Sequence, residues 1–244
     1  MATKQIGPIQ FQGKLDNLVG RSTRKGYMSI GMKAKKTTNP NTPKQVRART
    51  EFACAQNYGN SIPAACFAGL RPYSRGIKAS IRNAAAKLCY VLNVMDTEPN
   101  PGVGGYESQI TKEKFFFSKG NQPNVIAGAQ DLSNDVPSTI KVSWDNTPVE
   151  DDKALCHVIL YQEDEKVFLH QIVPATEKTA TFNVAQRWTG ATVYAYIYTQ
   201  YLPMDPDGIK YATEFPSATS KERQAIESRS TYSPTRLVGY KTVG

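Results

Sequence analysis

Two histidines, four cysteines and two acidic triplets are the residues of this 244-residue chain whose types invite a chemical reading. His157 and His170 fall in neighbouring predicted strands with apolar surroundings, and no nucleophile-elbow sequence supplies a serine for either to activate. Two histidines are too few for a His-rich metal site. Cys54, Cys66, Cys89 and Cys156 are widely spaced with no C-x-x-C pair, and three of them sit in helical patterns as small buried hydrophobes. Glu150-Asp151-Asp152 and Glu163-Asp164-Glu165 lack the ordered oxygen spacing and tight Gly turn of a calcium loop, so they read as solvated turns. Gly102-x-Gly104-Gly105 opens no helix and is not followed by Lys-Ser/Thr, so it cradles no phosphate. The expectation is a protein without catalytic residues, metal, cofactor or small-molecule substrate.

Charge is the stronger signal. Residues 1–100 hold 16 Lys and Arg against 4 Asp and Glu, whereas 101–244 carry a net of −3, within a formal total of +9. A forepart facing something anionic follows from that asymmetry. The residues expected to make the contact, with nucleic acid or with an acidic protein face, are Lys14, Arg21, Arg24, Lys25, Lys33, Lys35, Lys36, Lys44 and Arg47. Lysines and arginines that neutralise phosphates release counterions and give sequence-independent, salt-sensitive binding. The same charges laid across an acidic subunit would steer and register an assembly.

The elements that position these residues follow from periodicity. Residues 6–36 alternate in short segments, with Leu18–Ser22 and 27–32 flanking Arg24-Lys25-Gly26 as a basic hairpin. Thr42-Pro43-Lys44-Gln45 has the cap, first-turn proline and capping-box glutamine of a helix start, and the helix is predicted over 43–58 with Ala48, Phe52 and Ala55 inward. A short helix over 63–70 and a long one over 74–94 complete a helical unit. Breakers at 97–105 mark a domain boundary. Beyond it the period is two, with strands predicted at 114–118, 139–144, 154–162, 166–173, 179–184, 192–201 and 209–217. Residues 192–199 present apolar-bodied side chains on both faces and so belong to a central strand. The fold class is α+β: a basic β-hairpin and helical unit (1–96), a linker (97–113), an antiparallel seven-stranded β-sandwich (114–218) and an extended tail (219–244). On this division 110–218 would melt cooperatively by itself and 1–96 would be poorly folded alone.

Lys141-Val142-Ser143-Trp144, then Ala180-Thr181-Phe182-Asn183-Val184, Gly190 and Thr192-Val193-Tyr194 resemble strands of a fibronectin type III domain over about 115–218. The whole chain resembles a group of Bacteroidetes and phage or prophage proteins with a glycine-rich basic hairpin and an N-P-x-T-P-x-Q helix start. The matching residues are Gly13-Lys14-Leu15, Val19-Gly20, Asn39 to Gln45 with Arg49 and Phe52, Ser118-Lys119-Gly120, and Val142 to Trp144 followed by Asp152-Lys153-Ala154. That resemblance implies a virion structural protein, head-associated or at the connector, made in the host cytoplasm. Its implied partners are itself as a homo-oligomer, other virion proteins and packaged DNA.

The alternative is a sequence-independent nucleic-acid-binding protein of a phage or mobile element. A third class, a carbohydrate- or receptor-binding module, would use Tyr161, Trp188 and Tyr201 near strand ends. No apolar run approaches the roughly 20 residues of a membrane span, and the N-terminus has no secretory pattern.

Overall fold

A computed structural model describes residues 13–15, 18–22, 28–32, 41–103, 105–126, 132–133, 138–145, 154–203 and 219–244. The chain divides into two compact units, Met1–Thr42 and Pro43–Gly244. In the first, β1 (Gly13–Leu15), β2 (Leu18–Ser22) and β3 (Met28–Met32) form an antiparallel sheet in that order, with Leu18 opposite Met32 and Ser22 opposite Met28.

The second unit is built around one sheet buried on both faces. Its strands are β8 (Ala154–Gln162), β9 (Val167–Pro174), β11 (Thr192–Tyr201), β12 (Thr231–Tyr232) and β13 (Arg236–Thr242), all antiparallel, with β11 between β8 and β12/β13. All nine residues of β8 are buried, and apart from His157 and Gln162 they are apolar or aromatic, so the strand has no side to give to water. Strand alternation then divides the side chains. Cys156, Val158, Leu160, Val193, Ala195 and Ile197 meet Ile140, Val142, Ala180 and Phe182 of a smaller sheet, β10-β7-β6 (β6 Leu132–Ser133, β7 Thr139–Ser143, β10 Thr179–Asn183). Ile159, Tyr161, Tyr196 and Tyr198 point the other way, into a second core shared with helices.

That second core joins α1 (Pro43–Ser61), a 3-10 segment (Ala64–Leu70), α2 (Arg71–Gly76) and α3 (Ile81–Val91) to the sheet through Tyr58, Phe67, Leu88, Phe116 and Phe117. The Tyr58 hydroxyl donates to the Phe116 carbonyl and accepts from the Phe116 N–H at 2.9 Å, so one buried phenol closes both backbone groups. Phe117 packs edge-on to Tyr196, with ring centroids 5.2 Å apart.

Several sequence expectations change here. α1 begins at Pro43 as its cap predicts but buries Ala55, Tyr58 and Gly59, leaving Phe52 57% exposed. Its inward stripe is set by the close approach to α3, where a Cβ on Gly59 would stand 2.6 Å from the Arg82 carbonyl oxygen. The long helix over 74–94 is two helices, because Lys78 takes φ 51° and the Ser80 hydroxyl caps α3 by accepting from the Asn83 N–H at 3.2 Å.

The boundary at 97–113 is replaced by a hairpin of β4 (Met95–Asn100) and β5 (Gly105–Ile110), with β5 lying along α1. The unit division falls at 42/43 instead. Breaker residues at 99–105 turn a hairpin there rather than end a domain. The strand expected at 114–118 is a 3-10 turn at Lys112–Lys114 followed by an irregular aromatic segment whose backbone is met by the side chains of Tyr58 and Thr235 rather than by a neighbouring strand. The strand expected at 209–217 lies outside the described residues. The tail is not extended: Ser220–Arg229 forms α4, and β13 pairs along β11 of the same sheet.

Two outcomes check this arrangement. Residues 43–244 are expected to unfold in one cooperative calorimetric transition, while 114–218 alone, lacking β13 and the helices that cover Tyr196 and Tyr198, stays unfolded by circular dichroism. At Gly120 a Cβ would lie 1.7 Å from the Tyr232 carbonyl oxygen. Gly120→Ala therefore displaces backbone and is expected to cost about 1–3 kcal/mol in denaturant unfolding.

Candidate functional site

Three of the four cysteines are removed from chemistry by burial, which pushes the Cys66, Cys89 and Cys156 thiols up to about 12. Cys54 is half-buried and also raised, chiefly by desolvation. The acidic turn Glu163–Glu165 is tied down locally. Glu165 receives Arg187 Nε at 2.7 Å and Trp188 Nε1 at 2.9 Å, and Glu163 pairs with Lys112. Trp188 and Tyr161 are buried and Tyr201 is partly buried, its hydroxyl donating to the Pro123 carbonyl at 2.8 Å. These three rings therefore do not form the exposed aromatic platform a sugar-binding surface needs. Glu150, Asp151 and Asp152 lie outside the described residues.

Of the expected anion-contacting residues, Lys14 and Arg21 lie on β1 and β2, and Lys44 and Arg47 are exposed in the first turns of α1. Arg47 Nε binds Glu51 Oε1 at 2.8 Å across one helical turn, so part of its charge is answered within α1. Arg24, Lys25, Lys33, Lys35 and Lys36 lie outside the described residues.

The histidines, isolated in the sequence pattern, are brought together in the fold. Their strands are adjacent in the sheet, and His157 Nδ1 stands 3.1 Å from His170 Nε2. The surrounding hydrogen bonds fix who donates. Ser230 Oγ donates to the Ile226 carbonyl at 2.9 Å, so it must accept from Gln200 Nε2 at 2.9 Å. Gln200 Oε1 then faces His157 Nε2 at 2.6 Å as an acceptor, placing the His157 proton on Nε2 and leaving Nδ1 bare.

Tyr198 lies near the same Nδ1, at 2.9 Å, but its ring is stacked on His157 at 17° and its hydroxyl donates to the Cys66 carbonyl at 3.1 Å. His170 Nε2 and the Tyr198 hydroxyl thus both stand within hydrogen-bond reach of Nδ1, and both rings stack on the imidazole, His170 at 23°. A single-direction chain results, from His157 through Gln200 and Ser230 to a backbone carbonyl of α4.

Burial drives both imidazoles toward the neutral form, His157 to about 3 with the neighbouring His170 adding to the effect, and His170 to about 4. Beside His170 a pocket of about 430 Å³ opens between the 3-10 segment, α2, β9 and α4, and Arg71, Arg223, Glu227 and Ser220 line it with Ile172. Arg71 Nε pairs with Glu227 Oε2, whose carboxyl is pushed up by burial and held down in part by Arg71. The signal that could have found this cluster is register: two histidines placed 13 residues apart around one hairpin turn come opposite each other's neighbours.

Both histidine pKa values lie below the ordinary 6.5, so the unfolded chain takes up protons first as pH falls. Stability is complete above pH 6.5 and is lost downward through the window to about 4 and 3. For His170 alone the full loss is about 3 kcal/mol. The thermal midpoint is expected to drop between pH 7 and 4, and to drop less in His170→Gln. An equal drop in the variant would show that the pair does not titrate in this way.

The family model described as "Family of unknown function (DUF6266)" matches residues 10–215. Among curated proteins none matches. One similar solved structure is the solution structure of the fn3 domain of human collagen alpha-1(XX) chain, at 16% identity and a TM-score of 0.30, covering 52% of this chain and 84% of that one.

Proposed function

The chain belongs to this family of unknown function, and on that premise we propose that it is a non-enzymatic structural protein that assembles through its basic forepart. The observation that carries the reading is a coincidence of two boundaries. Met1–Thr42, the smaller compact unit, holds eight Lys and Arg and a single acidic residue, Asp16. Pro43–Gly244 is almost balanced, with 22 against 20. Most of the formal +9 thus belongs to 42 residues that cannot neutralise it internally. An anionic surface is the complementary partner, either an acidic face of a like subunit or the backbone of a nucleic acid.

The setting proposed is a phage virion, at the head or connector, and it rests on the sequence resemblance. The partners proposed are further copies of the chain, other virion proteins and packaged DNA. Within the larger unit, we take β6 to β11 as a fibronectin type III-like sandwich whose seventh strand is β13, reached after a long excursion through α4.

Native mass measurement and negative-stain imaging of the full chain test the proposal, with rings or shells expected and a strict monomer overturning it. Titration of labelled duplex DNA separates the nucleic-acid reading. If the basic unit grips phosphate, replacing Lys14, Arg21, Arg24 and Lys25 by Gln lowers the log–log salt slope by about 0.9 for each phosphate no longer neutralised. DNA affinity unchanged by salt and by these substitutions leaves protein assembly as the role of the charge.

A further inference from the structure

We propose that a pocket at the C-terminal end of α1 binds a small monocarboxylate carried on an apolar body, of the kind of an aryl or alkyl acetate. The pocket has a volume of about 630 Å³ and lies between α1, β5, Phe115 and the turn that joins β8 to β9. α1 lends it Cys54, Asn57, Tyr58 and Ser61, the i, i+3, i+4, i+7 stripe of one helical face, together with Asn60. A space of this size suits a small molecule.

The first observation is a set of unused polar groups. Asn57, Asn60 and Lys166 are exposed and line the pocket, and among the described residues their side chains have no hydrogen bond or ion pair. The other polar groups of the lining are engaged. The Tyr58 hydroxyl meets the Phe116 backbone, Ser61 Oγ donates to the Tyr58 carbonyl at 3.4 Å, and Ser108 Oγ lies 2.9 Å from Thr97 Oγ1. Desolvation pushes the Cys54 thiol up, so it stays neutral.

Charge is the second observation. Lys166 is the one charged residue among the described residues of the lining. The three acids before it in the turn are held by other groups: Glu163 by Lys112, Asp164 by Gln162 Nε2 at 3.1 Å, and Glu165 by Arg187 Nε at 2.7 Å. α1 ends at Ser61 with no basic residue in its last turn, and a helix presents about half a negative elementary charge at that end. That pole offsets part of the ammonium's field, which leaves a match for one negative charge and not for two. Each carboxamide brings two N–H donors, so the oxygens of a carboxylate find partners beyond the ammonium.

The rest of the lining is apolar. Ile110 and Phe115 pack against the helical core, are only partly buried, and line the pocket with part of their surface. A carboxylate without an apolar body leaves that surface wet, and an amine on the same body sets like charge against Lys166. Phenylacetate meets both demands, whereas acetate fails the first and benzylamine the second.

Titration of the full chain by calorimetry and saturation-transfer NMR at pH 8 tests the assignment. Phenylacetate is expected to bind saturably at millimolar concentration, with acetate and benzylamine each at least about tenfold weaker. Phenyl phosphate, largely a dianion at that pH, should bind no more tightly than phenylacetate. Lys166 stands at φ 56°, and Lys166→Asn removes the charge while keeping a residue that tolerates this backbone. The variant should weaken phenylacetate about fivefold or more and leave the melting transition unchanged, because the side chain it replaces has no partner. Lys166→Glu should reverse the order of phenylacetate and benzylamine. Equal binding of those two by the unaltered chain, a tighter phenyl phosphate, an affinity unmoved by Lys166→Asn, or no saturable binding of phenylacetate would overturn the proposal.

Discussion

A sheet that cannot face water on either side governs the larger unit. β8 and β11 are buried through nearly their whole length, so two separate layers have to cover them. One cover is the small sheet, which gives a sandwich core of aliphatic residues with Trp144 and Trp188 at its margins. The other is helical and aromatic, with Tyr58, Phe67, Phe116 and Phe117 over Tyr161, Tyr196 and Tyr198. A sandwich alone would leave that tyrosine face bare. The helices before it in sequence are therefore part of the same folding unit, because aromatic burial on this scale cannot be given up by a domain of marginal stability.

Covering the sheet with tyrosines raises a polar question that the structure answers locally. Each buried phenol needs a partner, and the partners are backbone carbonyls where helical segments break: Cys66 for Tyr198, Phe116 for Tyr58, Lys112 for Tyr196. Irregular segments are the places where carbonyls remain open, so the 3-10 turns and the 115–117 coil are fitted to the aromatic face. The excursion between β11 and β13 works the same way at the sheet's end. Ser230, Ser233 and Thr235 hydrogen-bond to Gln200, Thr199 and the Phe117–Ser118 backbone, fixing where β13 re-enters. Such a satisfied network specifies register, whereas removing any single member leaves a buried group unpaired.

Much of this is legible in the sequence, and the misses have physical causes. The run 192–201 declares a central strand because it is apolar on both faces, and the cap at Thr42-Pro43 marks the start of α1 to the residue. What one strand or one cap declares is local. Which face of α1 is buried depends on Gly59 meeting Arg82, an approach made across 23 residues that no periodicity within α1 contains. The aromatic triplet at 115–117 has strand composition, yet it packs against rings on both sides and has no neighbour to ladder with. The last strand is hidden by its sequence position, since 34 residues separate it from β11 and its Arg236 and Tyr240 look like tail. His157 and His170 read singly because each sits in an apolar context; only strand pairing makes them a pair.

The two units differ in how charge is managed, and that difference constrains what the forepart does. In Pro43–Gly244 many cations have acids to meet: Arg47 with Glu51, Arg71 with Glu227, Lys112 with Glu163, Lys114 with Asp96, Arg187 with Glu165. The exposed pairs among them stabilise little, yet they cancel the field of the unit at short range. Met1–Thr42 holds one acid for eight cations, so no arrangement of its own side chains achieves the same cancellation. Its field is answered by mobile counterions or by a macromolecular anion, and release of those counterions drives the second state entropically. On the assembly proposed above, a sequence that concentrates its cations where it omits its acids favours a polyanionic partner surface, while the unit that follows it in the chain carries almost no net charge.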